Sequence, residues 1–168
     1  SNGFSLVRRI LQAAYGEQWH NERYDDAQTW GEVLLAPCVI YSPLITAIAK
    51  ANLPISGAAH ITGGGSLENF DRVLKTNQLG AVIDTPFAPT EAMQRVMTMG
   101  NISNEQAYLY WNMGNGMLLT VPESSVDAVL TLAEAKNYEA KVAGRVIQGT
   151  TIHVHALNNE IVSRNYAE

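Results

Sequence analysis

His60-Ile61-Thr62-Gly63-Gly64-Gly65-Ser66 gathers an imidazole, two hydroxyls and three residues without side chains into one short stretch. Such a stretch can hold an anion. Glycines let backbone N–H groups approach a phosphate closely and tolerate the positive φ such a turn often needs. A helix beginning at about Ser66 would aim its unpaired N–H groups and the positive end of its dipole into the same space. The run also reads as a plain flexible connection. It is neither Gly-x-x-x-x-Gly-Lys-Ser/Thr nor Gly-x-Gly-x-x-Gly, and no lysine follows it, so a nucleoside-triphosphate P-loop is not expected. His60 is a candidate acid–base group or, equally, a buried structural histidine.

Three further groups could do chemistry. Glu68 and Arg72 lie one helical turn apart and read as a solvated ion pair worth a few tenths of a kcal/mol. The alternative is that Arg72 or Asn69 reaches a ligand. Trp111-Asn112-Met113-Gly114-Asn115-Gly116-Met117 has glycines ahead of an apolar run and opens no helix, so it is not a dinucleotide fingerprint. His153 and His155 alternate on one strand face, with no Cys, Asp or Glu close in sequence to complete a metal site.

These groups need positioning elements. Phe4, Val7, Ile10, Leu11 and Ala14 recur at helical spacing, which predicts a helix over 5–15. Trp19 and Tyr24 are packing anchors. Thr29 to Glu32 fits a capping box for a short helix through Leu35, and Ser103 to Gln106 fits another. Ser42-Pro43 opens a helix with serine as its cap. Residues 55–61 read as a buried strand and 80–84 as a second, closing a β-α-β unit around the helix of Leu67, Phe70 and Leu74. Met117 to Val121 and Lys141 to Ile147 are further strands. Val126, Val129, Leu130 and Ala133 face inward on another helix. Met97 and Met99 are core filler.

At 168 residues and 46% hydrophobic, the chain has material for one domain core. Its net charge of -5 argues against a general nucleic-acid binder, whose affinity rests on clustered Lys and Arg. No apolar run approaches a membrane span, and no signal-peptide pattern precedes Phe4. The single cysteine, Cys38, fits a reducing compartment and reads as a small buried hydrophobe.

Four separated motifs, in order, resemble the C-terminal half of aminoimidazole ribonucleotide synthetase, the phosphoribosylformylglycinamidine cyclo-ligase family. They are Ser1-Asn2-Gly3-Phe4-Ser5-Leu6-Val7-Arg8, Leu34-Leu35-Ala36-Pro37-Cys38-Val39-Ile40-Tyr41, His60 to Leu74, and Tyr108 to Met117. Ala143-Gly144-Arg145-Val146 fits near the end of the pattern. Departures are Cys38 for a threonine, Asp71 and Lys75 for prolines, and Leu109-Tyr110 for Arg-Thr.

The resemblance implies an α+β fold of layered α/β/α type, a mixed sheet packed by helices, over residues 1–156, with a polar tail over 157–168. It implies an ATP-binding N-terminal domain that this chain lacks, so the chain looks like a C-terminal fragment, inactive alone. In the reaction so implied, ATP activates the formyl amide oxygen of formylglycinamidine ribonucleotide. An amidine nitrogen then closes the imidazole ring, giving aminoimidazole ribonucleotide, ADP and phosphate.

On this reading Gly63, Gly64, Gly65 and Ser66 hold a ligand phosphate, with His60, Thr62 and Asn69 at its edge and Asn2, Asn112 and Gly114 lining the cleft. ATP and Mg²⁺ are expected mainly at the N-terminal domain. A small phosphorylated substrate, that domain and a second copy of the chain are the expected partners; nucleic acid and membrane are not. The compartment is the cytoplasm. Two alternatives stand beside it. One is another enzyme of the superfamily, such as a selenophosphate synthetase or thiamine-phosphate kinase relative. The other is a non-catalytic ligand-binding or assembly domain, which Leu109 and Tyr110 favour.

Overall fold

A computed structural model of the chain describes residues 3–162. The fold is α+β, with mixed sheets packed by helices. Helix α1 (Phe4–Tyr15) buries Val7, Ile10 and Leu11 on one face, as its spacing requires. Helix α2 (Trp30–Leu34) starts at the capping box, where Thr29 and Glu32 satisfy each other's backbone N–H groups. Helix α3 (Ser42–Lys50) begins one residue before the expected start, so Ser42 lies inside it, Pro43 sits in its first turn and Tyr41 precedes it without a side-chain cap. Helices α4 (Gly65–Leu74), α5 (Glu91–Gly100), α6 (Asn104–Tyr110) and α7 (Val126–Ala135) follow.

The strands form two sheets. Strand β1 (Gly57–His60) pairs antiparallel with β3 (Met117–Thr120), Gly57 facing Thr120 and His60 facing Met117. Strand β2 (Leu79–Ile83) lies in a four-stranded sheet of order β4-β2-β5-β6 with β4 (Gly144–Gln148), β5 (Ile152–Ala156) and β6 (Asn159–Val162). Within it β2 and β5 are parallel and the other neighbours antiparallel.

The expected β-α-β unit is therefore corrected: β1 and β2 flank α4 but belong to different sheets. A strand has two hydrogen-bonding edges, and those of β2 are taken by β4 and β5. Nor is the first strand sandwiched between layers. It is four residues long and only Ala59 is buried. The expected polar tail is corrected too. Leu157 and Asn158 form a turn with φ of 52° and 61°, and Asn159–Val162 is a strand whose Ile161 is buried. That turn matches the two-residue hairpin geometry that needs positive φ at both positions.

The main core gathers Leu11, Trp30, Ile61, Phe70, Val96, Tyr108, Ile152 and Val154 from both sheets and the surrounding helices, with Met97 and Met99 packed in or against it. Trp19 and Tyr24 pack against it as well, Tyr24 edge-on to Trp30 at 4.9 Å. A smaller cluster of Leu44, Ile48, Val129 and Ala133 joins α3 to α7. Cys38 is exposed, against the expectation of burial. It lies between α2 and α3 in an extended segment that runs over the surface. No helix among the described residues is long and apolar enough to cross a membrane.

Candidate functional site

The glycine turn leads from β1 into α4. Gly64 and Gly65 have φ of 94° and 61°, a left-handed geometry that glycine adopts without Cβ strain. The first helical bond runs from Glu68 N–H to Gly64 O at 3.2 Å, so most earlier N–H groups of the turn lack a helical acceptor. The N–H of Gly65 is used internally, donating to Thr62 O at 3.0 Å. Asn69, buried beneath the turn, braces it: its Nδ2 donates to Gly63 O at 3.0 Å and Gly65 O at 2.8 Å, and its Oδ1 accepts from the Thr62 hydroxyl at 3.4 Å. Ser66 is buried. Thus Asn69, Thr62 and Gly65 shape the turn, and Gly63 and Gly64 form its outer surface.

Gly65 is required for a second reason. A Cβ there would run into the carbonyl oxygen of Tyr108 on α6, so turn and helix meet backbone to backbone. Tyr108 is fully buried, its hydroxyl has no hydrogen-bond partner among the described residues, and burial raises its pKa. At Gly64 the obstruction would be the carboxylate of Glu68, which leans back over the helix N-terminus. Glu68 also lies 4.0 Å from Arg72 in an exposed pair.

Gly63 and Gly64 open on a cleft of about 660 Å³. One wall is α1 and the residue before it: Gly3, Ser5, Leu6 and Arg9. Ile102 and α6, through Gln106, Leu109 and Tyr110, line the cleft as well. The walls are fastened where Trp111 Nε1 donates to Gly3 O at 3.5 Å and leaves no room for a side chain at Gly3. Sequence reading did not single out Ser5, Arg9 or Gln106 as site residues. The signal was there in part, since all three are polar residues within α1 and α6, but nothing in the spacing says that these helices converge on the glycine turn.

The remaining candidates fall elsewhere. His60 is exposed on β1, edge-on to Tyr41 with ring centroids 6.0 Å apart, and is not among the residues lining the cleft. Asn112 Oδ1 accepts from Gly114 N–H at 3.1 Å, and a Cβ on Gly114 would strike Ala88 O. Those two residues shape the loop over 112–116 against the 85–89 loop. Asn115, which sequence reading passed over, ties the loops together: it accepts from Phe87 N–H at 2.7 Å and donates to Phe87 O and Met113 O. Asn2 lies outside the described residues.

His153 and His155 do share a face, and the sheet supplies the acids missing from their neighbourhood in sequence. Nδ1 of His153 is 2.7 Å from Glu160 and Nδ1 of His155 is 3.0 Å from Asp84, which also pairs with Arg145. Glu160 also lies 3.5 Å from His155 Nε2, and its bonds to His153 first and His155 second lower its pKa. No group of three such side chains among the described residues could hold a metal ion.

The sequence profile described as AIR synthase related protein, C-terminal domain, matches residues 1–156. The chain is 39% identical over 157 residues to phosphoribosylformylglycinamidine cyclo-ligase of Shouchella clausii, covering 90% of the chain and 44% of that protein. To the protein of the same name from Crocosphaera subtropica it is 36% identical over 151 residues, covering 89% and 44%. The chain thus spans less than half the length of these curated relatives. Among solved structures, the E. coli hydrogenase maturation protein HypE superposes over 100% of the chain and 48% of its own, with a TM-score of 0.55 and 14% identity. T. maritima PurL complexed with FGAR does so over 95% and 24%, with a TM-score of 0.53 and 18% identity. At those identities the likeness is one of fold.

Proposed function

The chain belongs to the family of AIR synthase related proteins, as its C-terminal domain, and from that premise we propose that it is the substrate-binding half of an ATP-dependent phosphoribosylformylglycinamidine cyclo-ligase of purine biosynthesis. The observation that carries this reading is the cleft in which Gly63 and Gly64, at the N-terminus of α4, face Ser5, Arg9 and Gln106. A phosphorylated small molecule suits such a place, because backbone N–H groups bind the phosphate without a basic surface.

The reaction makes a poor leaving group, the amide oxygen, into a phosphate ester and then closes a ring. The protein's part is to hold the reacting groups together and to neutralise charge. Here the turn anchors one end of the ligand. Asn69 and Thr62 hold the turn, and His60, on the neighbouring strand, is the proposed proton-transfer group. Gly65 and Ser66 belong to that turn, Asn112 and Gly114 shape a loop outside the cleft lining, and Asn2 enters the proposed set from the sequence motif alone. The ATP-binding N-terminal half, with its Mg²⁺, is the partner that completes the enzyme, and the whole works as a cytoplasmic homodimer.

The test uses the longer protein containing this chain, incubated with ATP and formylglycinamidine ribonucleotide, with aminoimidazole ribonucleotide followed by its colour reaction. Product with matching ADP is expected. A folded protein that binds ATP yet forms none overturns the reading. One observation favours a second reading, another substrate within the same superfamily: Leu109 and Tyr110 stand in the cleft wall itself. Under that reading ATP binding persists and a different phosphorylated acceptor is consumed.

A further inference from the structure

We propose that Arg9 is the cation that makes this cleft a phosphomonoester site, an inference that rests on the phosphate reading above. The helix N-terminus supplies only part of the attraction. It carries roughly half a positive charge, and a carboxylate placed there cancels it. The resident carboxylate is Glu68, leaning over Gly64. A phosphate arriving at the turn meets a charge of its own sign, and a full positive charge within the cleft has to offset it.

Arg9 is that charge. Among the described residues Arg23, Arg72, Arg95 and Arg145 are each ion-paired, whereas Arg8 and Arg9 pair with no carboxylate. Of these two, only Arg9 lines the cleft that Gly63 and Gly64 also line. In a chain of net charge -5, a guanidinium without a carboxylate, set in a cleft beside a glycine turn, has an anion as its natural partner. The planar fork takes two phosphate oxygens. Leu109 and Tyr110, also in the lining, offer an apolar shelf for the remainder of a phosphomonoester ligand.

Ribose 5-phosphate and inorganic phosphate, titrated calorimetrically into this chain at low salt, provide the test. Arg9→Ala is expected to weaken ribose 5-phosphate at least tenfold, Arg9→Lys to restore part of the loss, and Glu68→Gln to tighten binding. Arg8→Ala, an adjacent unpaired arginine pointing about 100° away around the helix, serves as the control and stays near wild type. Equal losses from Arg8→Ala and Arg9→Ala would mean diffuse attraction and overturn the proposal. So would wild-type affinity in Arg9→Ala alongside lost affinity in a folded Gly64→Val variant, an outcome that leaves the phosphate reading standing. Wild-type protein that binds neither probe overturns both.

Discussion

Gly63, Gly64 and Gly65 look alike in the sequence and do different work. Gly63 and Gly64 face the cleft, whereas Gly65 lets the turn lie against the backbone of α6. Its left-handed φ of 61° and the carbonyl oxygen of Tyr108 both oppose a methyl group. Gly65→Ala is therefore expected to cost about 3 kcal/mol, seen as a lower urea midpoint with an unchanged slope. Gly64→Ala meets the movable carboxylate of Glu68 and, at 3.0 Å, its Cβ, with no backbone in the way, and should cost less, about 1–2 kcal/mol. Equal losses in the two variants would show that packing on α6 is not what fixes the third glycine. Three successive glycines are legible as a turn in the sequence itself. Which of them faces the cleft and which meets a helix depends on residues more than forty positions downstream.

At the scale of elements, the β5–β6 hairpin carries a pH dependence of its own. His153 and His155 donate to Glu160 and lower its carboxyl pKa, with Asp84 and Arg145 beside them from β2 and β4. A carboxylate whose pKa is lower folded than unfolded contributes stability above its unfolded value, about 4.3, and loses it as the pH falls through the folded value. Amides of Asn159 to Val162 should thus lose protection relative to β2 as the pH falls below about 4. In Glu160→Gln the acid-induced difference between hairpin and β2 should vanish; its persistence would put the acid sensitivity elsewhere. The histidine pair was readable from strand alternation. Its acids were not, because Asp84 arrives through sheet pairing and Glu160 through a hairpin in a segment whose composition reads as a tail.

At the scale of the whole molecule, the described residues include an uncovered apolar stretch between α2 and α3. Leu35, Val39 and Ile40 are 81%, 56% and 70% exposed along the extended segment that also carries Cys38. That segment is held in place: Tyr138 donates its hydroxyl to Ile40 O at 2.6 Å, and Tyr41 packs over Gly116. Nearby, β1 and β3 form a sheet of only two strands, a marginal arrangement by itself. A fixed, exposed apolar strip of this kind promotes association. The double variant Leu35→Ser/Ile40→Ser is expected to reduce concentration-dependent light scattering by the chain while leaving its unfolding midpoint within about 0.5 kcal/mol of wild type. Unchanged scattering would show that the strip drives no association.

Composition, helical periodicity, the two capping boxes and the order of the glycine and asparagine motifs were decided by the sequence itself. They depend on residues within a turn or two of each other, and local backbone preferences and motif chemistry act at that range. Together they sufficed for an α+β domain and for its family. The partition of strands into two sheets, the exposure of Cys38 and His60, and the entry of Arg9, Leu109 and Tyr110 into one cleft came only with the tertiary structure. Each turns on which edge or face meets a distant partner, and a strand or helix carries the same local signal whichever partner it finds.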